Sequence, residues 1–284
     1  MKTSFMNVRS ILTRTSGYLT TVCSHSLQPY RGCPFGASLC GVGCYVQHNI
    51  YATQGAPWGS FLDVRTNAAD AFRSSYKRER AWARKSRGRF DIFMSSATEP
   101  FPPQEARYGV TRRVLEAMIE RPADGLIVQT HSHRVTAVTE LLLRLAKICD
   151  LRVHMSIETD RERLPGLPPH ASSIEKRFAA AAALHAVGLK VVVTVSPLLP
   201  IDDPERFFAR IAEVADAVVL DHFIGGDGSS NGSRTRKTPL PSAMAAVMPE
   251  SIELDYRNSM GEIAQRHLPG RVGFERDGFA GRWA

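Results

Sequence analysis

The sequence predicts an α/β protein, a partial (β/α)6 barrel of the TIM type with a C-terminal extension. Three observations carry that expectation. Six short β-rich runs alternate with amphipathic helical stretches. Most of the runs lead straight into a polar or proline-bearing motif. The chain's 284 residues, 43% of them hydrophobic and 23% charged, suffice for one large core. Strand–helix alternation of this kind specifies a parallel sheet with right-handed crossovers. Six units make an incomplete barrel or a strongly curved open sheet.

In chain order, the first strand is expected near Tyr18 to Ser26. The others are Phe90 to Met94, Gly125 to Gln129, Leu151 to Ile157, Lys190 to Val195 and Ala217 to Leu220. Helical patterns fall between them at 66–87, 106–121, 135–148, 172–187 and 203–215. The run from Ser172 to Val187 has a start signal and a stop at Gly188. Asp203 and Pro204 are an N-cap followed by proline in the first turn. Residues 1–224 are expected to form the barrel, with a cysteine loop at 28–45. Residues 225–284 are read as a flexible Gly/Ser-rich loop and an extension packed on the barrel.

The net charge of +8 suits a polyanionic partner, and equally an enzyme that binds something small and negative. No apolar stretch has the length that spans a bilayer, and the N-terminus lacks the apolar core of a secretory signal. Five cysteines, three of them between Cys33 and Cys44, do not form a secreted disulfide framework. A cytoplasmic location without membrane contact is the expectation.

The strand ends hold the unusual residues. They are Ser95-Ser96-Ala97-Thr98-Glu99-Pro100, Gln129-Thr130-His131-Ser132, Ser156-Ile157-Glu158-Thr159, Ser196-Pro197-Leu198-Leu199-Pro200 and Asp221-His222-Phe223. Singly, each is an ordinary turn or cap. Five in succession at the carboxyl ends of parallel strands point to a site built from several strands at once.

After the first strand comes Gln28-Pro-Tyr-Arg-Gly-Cys33-Pro-Phe-Gly-Ala-Ser-Leu-Cys40-Gly-Val-Gly-Cys44-Tyr45. Glycines let such a loop wrap closely, with its N–H groups turned to the sulfurs. Three thiolates suit a four-iron cluster with one open iron. Structural zinc is the competing reading, with His25 or His48 as a fourth ligand. Coincidence ranks below both.

This loop resembles the cluster loop of the radical S-adenosylmethionine enzymes, in the branch of spore photoproduct lyase, which reads Asn-Pro-Tyr-x-Gly-Cys, two more cysteines, then Tyr. The likeness runs from about Gly17 to His222. It includes Val64-Arg-Thr-Asn67, Thr98-Glu99-Pro100-Phe101-Pro102, Thr111-Arg112, Ser156-Ile157, Arg177 and Ser196 to Pro200. It implies a [4Fe-4S] cluster on Cys33, Cys40 and Cys44, with S-adenosylmethionine on the open iron. Reductive cleavage would yield a 5′-deoxyadenosyl radical that abstracts hydrogen from a substrate. Tyr45 would help place the adenine, Ser156 would contact the cosubstrate, and Ser196 and Pro197 would line the adenine side. Glu158 would meet ribose hydroxyls, and Thr98 and Glu99 belong to the same cofactor-binding set. An external one-electron donor, of flavodoxin or ferredoxin type, is implied as partner.

The pattern departs from that branch in three places. Six and three residues separate the cysteines here, where the superfamily has three and two. His131 stands where the lyase-like relatives carry a lysine that meets the cosubstrate carboxylate. Ser96 stands where the lesion-repair lyase has a hydrogen-donating cysteine. A serine O–H bond is too strong for that task, so thymine-lesion repair by the same route is not expected. Ser96 and His131 are the catalytic candidates.

Arg73, Lys77, Arg80, Arg84 and Arg87 share one face of the first long helix. The basic stretch 73–89 is a candidate nucleic-acid contact, or else a solvated face. Cys149, ending a Leu-rich helix, reads as core. The expected function is a radical enzyme of unknown substrate. The alternative is a zinc-stabilised nucleic-acid-binding protein without turnover.

Overall fold

Apolar patterning resolves into eleven strands among residues 1–283, which the computed structural model describes. They are β1 (Lys2–Met6), β2 (Leu12–Arg14), β3 (His25–Leu27), β4 (Tyr30–Arg31), β5 (Phe61–Arg65), β6 (Asp91–Met94), β7 (Gly125–Thr130), β8 (Asp150–Ser156), β9 (Val191–Val195), β10 (Ala217–Leu220) and β11 (Val272–Phe274). Eight of them form one sheet in the order β11-β10-β9-β8-β7-β6-β3-β2. All neighbours in it are parallel except β2, which runs antiparallel to β3. The register places Ile92 opposite Leu126, Leu126 opposite Leu151, and Val153 opposite Val191. A separate three-stranded sheet, β1-β5-β4, precedes the long crossover helix.

The helices are α1 (Leu39–Val42), α2 (Ile50–Thr53), α3 (Ala68–Arg87), α4 (Glu105–Tyr108), α5 (Val110–Glu120), α6 (Thr139–Ala146), α7 (Ile174–Ala186), α8 (Pro204–Val214), α9 (Phe223–Gly226), α10 (Leu240–Val247), α11 (Leu254–His267) and α12 (Glu275–Phe279). The predicted start signals are used. The Ser173 side chain caps α7 by accepting from Lys176 N, and Asp203 caps α8 by accepting from Arg206 N. Gly88 ends α3 in the left-handed conformation that a side chain disfavours.

Five of the six predicted strands form within a residue of their expected bounds. The first is shorter. Gly17 sits at φ +59°, and Gly17–Thr21 folds into a 3-10 turn whose Leu19 carbonyl accepts from Val22 N and Cys23 N. Extended structure begins only at His25. The extension also supplies β11, a further parallel strand beside β10. Three residues ending in Gly-Phe carried too little pattern to read as a strand.

Each strand of the large sheet divides its side chains between two layers. One face, with Ile92, Leu126, Val128, Val153, Met155, Val191, Val193 and Leu220, packs on the helices. The other presents Phe93, Ile127, Val192, Ala217 and Val219 to Phe279. Phe279 lies 6.0 Å from the Phe93 ring and stacks on His154 at 5.8 Å. It also meets Tyr18 edge-on at 6.4 Å. His154 is fully buried, its ring nitrogens are unpartnered, and burial lowers its pKa well below the usual histidine value. It therefore packs as a neutral ring.

Phe279→Ala should destabilise the protein by about 3–5 kcal/mol, because it opens a void between three rings. Tyr51→Ala, at a side chain 88% exposed, should stay within about 0.5 kcal/mol. Urea denaturation followed by circular dichroism distinguishes the two, and equal effects would contradict a closing role for Phe279.

Candidate functional site

The carboxyl ends of β3, β6, β7, β8, β9 and β10 bring the strand-end motifs to one side of the large sheet, next to the cysteine loop. That loop is tightly folded. A Cβ on Gly36 would come within 2.2 Å of Gly59 Cα, and one on Gly41 within 2.1 Å of Phe35 O, so the backbone passes too close for side chains. Leu39 N donates to Pro169 O at 3.0 Å, and Gly43 packs on Leu240. Cys33 is 7% exposed, while Cys40 and Cys44 are half-buried. Burial, then the neighbouring Cys40 sulfur, pushes the Cys44 thiol up to about 12 and holds Cys33 well above its ordinary value. Two thiols that resist ionisation on their own, beside the Cys40 sulfur, suit a bound cation, whose charge stabilises thiolates. Among the described residues, no three or more His, Cys, Asp or Glu side chains gather around a single-ion site. Cys23 lies elsewhere, in the apolar layer with Val22 and Phe93, and Cys149 caps back onto Leu145 O. His25 is paired with Glu79 of α3, and His48 is exposed.

Gln28, at the head of the loop, is held from two sides. Its amide donates to Ser96 Oγ at 3.0 Å, and its carbonyl accepts from Thr98 Oγ1 at 2.9 Å. The β6 motif thus fixes where the loop departs from β3. Ser95 beside it adopts φ +69°, unusual for a side-chain-bearing residue, and its buried hydroxyl has no partner.

Glu99, His131, Ser156 and Glu158 converge on a second group. Glu99 accepts from Phe101 N, Thr130 Oγ1 and His131 N. Burial raises its pKa against those bonds. Glu158 Oε2 accepts from Arg177 Nη1 at 2.6 Å, and Arg177, 1% exposed, also donates to Ser156 O. His131 Nδ1 lies 2.7 Å from Glu158 Oε1, close enough to pair but without hydrogen-bond alignment. Burial opposes charge on both residues. Arg177, then His131, still hold Glu158 well below the usual carboxylate range, and Cys40, then Glu158, raise His131 well above the usual histidine value. Glu158 Oε2 is thus occupied by Arg177, while Oε1 faces His131 without a hydrogen bond. The Gln129 amide donates to Ser156 Oγ at 2.6 Å and to Thr194 Oγ1 at 2.9 Å, leaving its own buried carbonyl oxygen unpartnered.

Ser196 and Pro197 lie in a third group around Asp221. Ser196 Oγ donates to Asp221 Oδ2 at 2.7 Å and Tyr18 Oη to Oδ1 at 3.2 Å. Burial raises Asp221 to about 7. The peptide between Ser196 and Pro197 is cis. Tyr45 follows the last cysteine and is within electrostatic reach of Cys44, Asp221 and Arg234.

Sequence reasoning placed Gln28, Gln129 and Asp221 in the site motifs without giving them a role, and it passed over Tyr18. Asp221 and Gln129 carried a signal, a polar residue closing an apolar run. Tyr18 carried none, since its contact with Asp221 exists only through the 3-10 turn. The predicted basic stripe on α3 is largely partnered. Arg73 bonds Glu120 at 2.7 Å and Arg84 bonds Asp124 at 2.6 Å. Arg87 reaches Thr15 O, and Arg80 lies over the Tyr76 ring. No helix among the described residues is long and apolar enough to cross a membrane.

No protein-family model matches the chain. An uncharacterized protein of Methanocaldococcus jannaschii is 24% identical over 175 residues, 61% of this chain. The chain spans about 60% of the length of that relative in the match. Among solved structures, spore photoproduct lyase complexed with dinucleoside spore photoproduct matches 96% of this chain and 81% of its own, with a TM-score of 0.63 at 14% identity. A mutant of that lyase with the same ligand gives 0.63 at 13% identity, over 96% and 80% of the two chains. A further mutant gives 0.60 at 14% identity, over 96% and 81%. At such identities the likeness is one of fold.

Arg177→Ala should cost about 3–5 kcal/mol at neutral pH, by leaving the Glu158 carboxylate buried and uncompensated. In the folded wild type that carboxylate titrates below its unfolded value, so its contribution is full above the ordinary carboxylate range and is lost as pH falls. The deficit of the variant should shrink on acidification; a deficit constant with pH would refute the pairing. Asp221 has the opposite sign. Its raised value means stability falls as pH rises toward about 7, and Asp221→Asn should flatten that part of the profile in denaturant titrations.

Proposed function

We propose that this chain is a radical S-adenosylmethionine enzyme whose parallel sheet is a partial (β/α)6 barrel. One observation carries the reading above the others. Three buried or half-buried thiols sit on one tightly folded loop, tied by Gln28 to Ser96 and Thr98, beside strand ends that keep polar atoms unpartnered. The fold likeness to spore photoproduct lyase supports it.

Cys33, Cys40 and Cys44 would hold a [4Fe-4S] cluster and leave one iron for S-adenosylmethionine. When bound, the two supply the reductively generated 5′-deoxyadenosyl radical that abstracts hydrogen from substrate. The chain's own residues do the positioning. Glu99 fixes the backbone at His131. Arg177 and Glu158 hold the His131 ring toward Cys40, where it replaces the lysine of the lyase-like relatives. Glu158 orients His131 through this contact, and its Oε1, without a hydrogen-bond partner, would accept from ribose hydroxyls. Ser156, steadied by Gln129, and the Ser196–Pro197 segment, steadied by Asp221, line the cosubstrate side together with Tyr45. The free Ser95 hydroxyl and Gln129 carbonyl are available to a polar ligand. Ser96 bonds Gln28 and so acts on loop placement, in keeping with a reaction other than thymine-lesion repair. The electron would come from an external donor of flavodoxin or ferredoxin type, in a reducing, cytoplasmic setting that suits the five free thiols.

Anaerobic reconstitution should give brown protein with about four irons per chain. Dithionite and S-adenosylmethionine should then yield 5′-deoxyadenosine, read by chromatography, and Cys40→Ala should abolish it. A colourless protein holding zinc would overturn the enzyme reading in favour of the zinc-stabilised binding protein, and one holding no metal would overturn both.

A further inference from the structure

Residues 157–173 join β8 to α7 without a strand or helix of their own. Connections of that length in compact domains usually either serve a site or are disordered. This one is built into the molecule. Thr159 Oγ1 donates to Pro200 O and accepts from Arg161 N, and Glu162 accepts from Ile174 N at 3.1 Å. Leu164, 2% exposed, lies in an apolar cluster with Leu39, Leu199, Phe223 and Leu240.

At its far end two neighbouring residues serve opposite sides of the strand-end site. Pro169 O accepts from Leu39 N at 3.0 Å, one residue before Cys40. His170, half-buried, stands between Arg161 O and the Arg177 guanidinium, with Nε2 and Nδ1 each 3.1 Å from its partner. A carbonyl oxygen only accepts and a guanidinium only donates. Nε2 therefore carries the proton and Nδ1 accepts, which fixes the ring as its neutral Nε2–H tautomer. Burial, with the push of Arg177, holds its pKa below the ordinary histidine value against the pull of Glu158. Neither nitrogen is left to ligate a metal.

Arg177 needs this acceptor. Its Nη1 serves Ser156 O and Glu158 Oε2, its Nη2 donates to His170, and its Nε is already buried without a partner. From Arg177 the line runs through Glu158 to His131, which lies close enough to Cys40 for the sulfur to raise its pKa. Residues 169 and 170 thus hold both members of the approach between His131 and Cys40, one through the Leu39 backbone and the other through Arg177.

We propose that His170, as its neutral Nε2–H tautomer, is a positioning residue that pins the β8–α7 connection to Arg177 and so sets Cys40 against His131. The inference deepens the proposed function and rests on it for the part played by the cysteine loop. His170 acts through Arg177, and its neighbour Pro169 through Leu39, on the groups that would meet cluster and cosubstrate.

Two measurements on the full chain, purified without iron, read the pin directly. Histidine nitrogen NMR at neutral pH should show His170 protonated on Nε2 and bare on Nδ1. In hydrogen exchange, His170→Phe, which keeps a ring but forms neither bond, should speed exchange of the Leu39 amide roughly tenfold, the size of one lost hydrogen bond. The amides of β7 and β9 should exchange as in wild type. His170→Gln, whose amide both accepts and donates, should restore most of the protection. His185→Phe, at a half-exposed position of α7, should match wild type. With the cluster reconstituted, His170→Phe should slow 5′-deoxyadenosine formation by roughly tenfold, and His170→Gln should recover it. A cationic or Nδ1–H ring, an unchanged Leu39 amide, exchange raised equally throughout the sheet, or undiminished 5′-deoxyadenosine formation in the phenylalanine variant would each overturn the assignment. Wild-type protein that forms no 5′-deoxyadenosine overturns the cofactor reading instead, while the spectra and the exchange, which need no iron, still decide the pin.

Discussion

The buried pair of Glu158 and Arg177 is the constraint on which the strand-end chemistry depends. Neither charge tolerates burial alone, and their 2.6 Å contact lets each remain ionised. The pair ties α7 to the end of β8 and gives His131, at the end of β7, a fixed anion to face. Through His131 the influence reaches Cys40 of the cysteine loop. Three elements far apart in sequence are thereby aligned by one carboxylate.

The sheet separates two kinds of work by layer. Below the strand ends its second face is apolar and sealed by Phe279. Above, the same alternation places Gln129, Ser156, Thr194 and Ser196 together, and these polar side chains bond mainly to one another or to Asp221. Such side-chain-to-side-chain bonding fixes orientation without using the backbone groups of the sheet. The apolar seal keeps water from competing beneath it.

Much of this was legible in the sequence. Periodicity and caps located five of the six expected strands and the helices between them, and the motif order located the strand ends. The cysteine loop was visible because three thiols and its glycines crowd into so short a span. What escaped was contact without pattern. Tyr18 and Asp221 meet only because a 3-10 turn replaces the start of the expected strand. Arg177 was visible as a motif residue, but its engagement with Glu158 was not, since an arginine on an Ala-rich helix reads as surface until its neighbours are known. The arginines of α3 read as a free basic stripe because their partners, Glu120 and Asp124, lie some forty residues away.

The meeting of Tyr18 with Phe279 joins segments near opposite ends of the sequence. Contacts of that separation carry a high loop-closure cost and are favoured only once the intervening structure has formed. Until they close, Phe93, Ile127, Val192 and Val219 lack the ring that covers them. Tyr18 is also the residue that completes the hydrogen bonding of Asp221. Tyr18 thereby couples the apolar closure by Phe279 to the polar contacts of Asp221 at the strand ends.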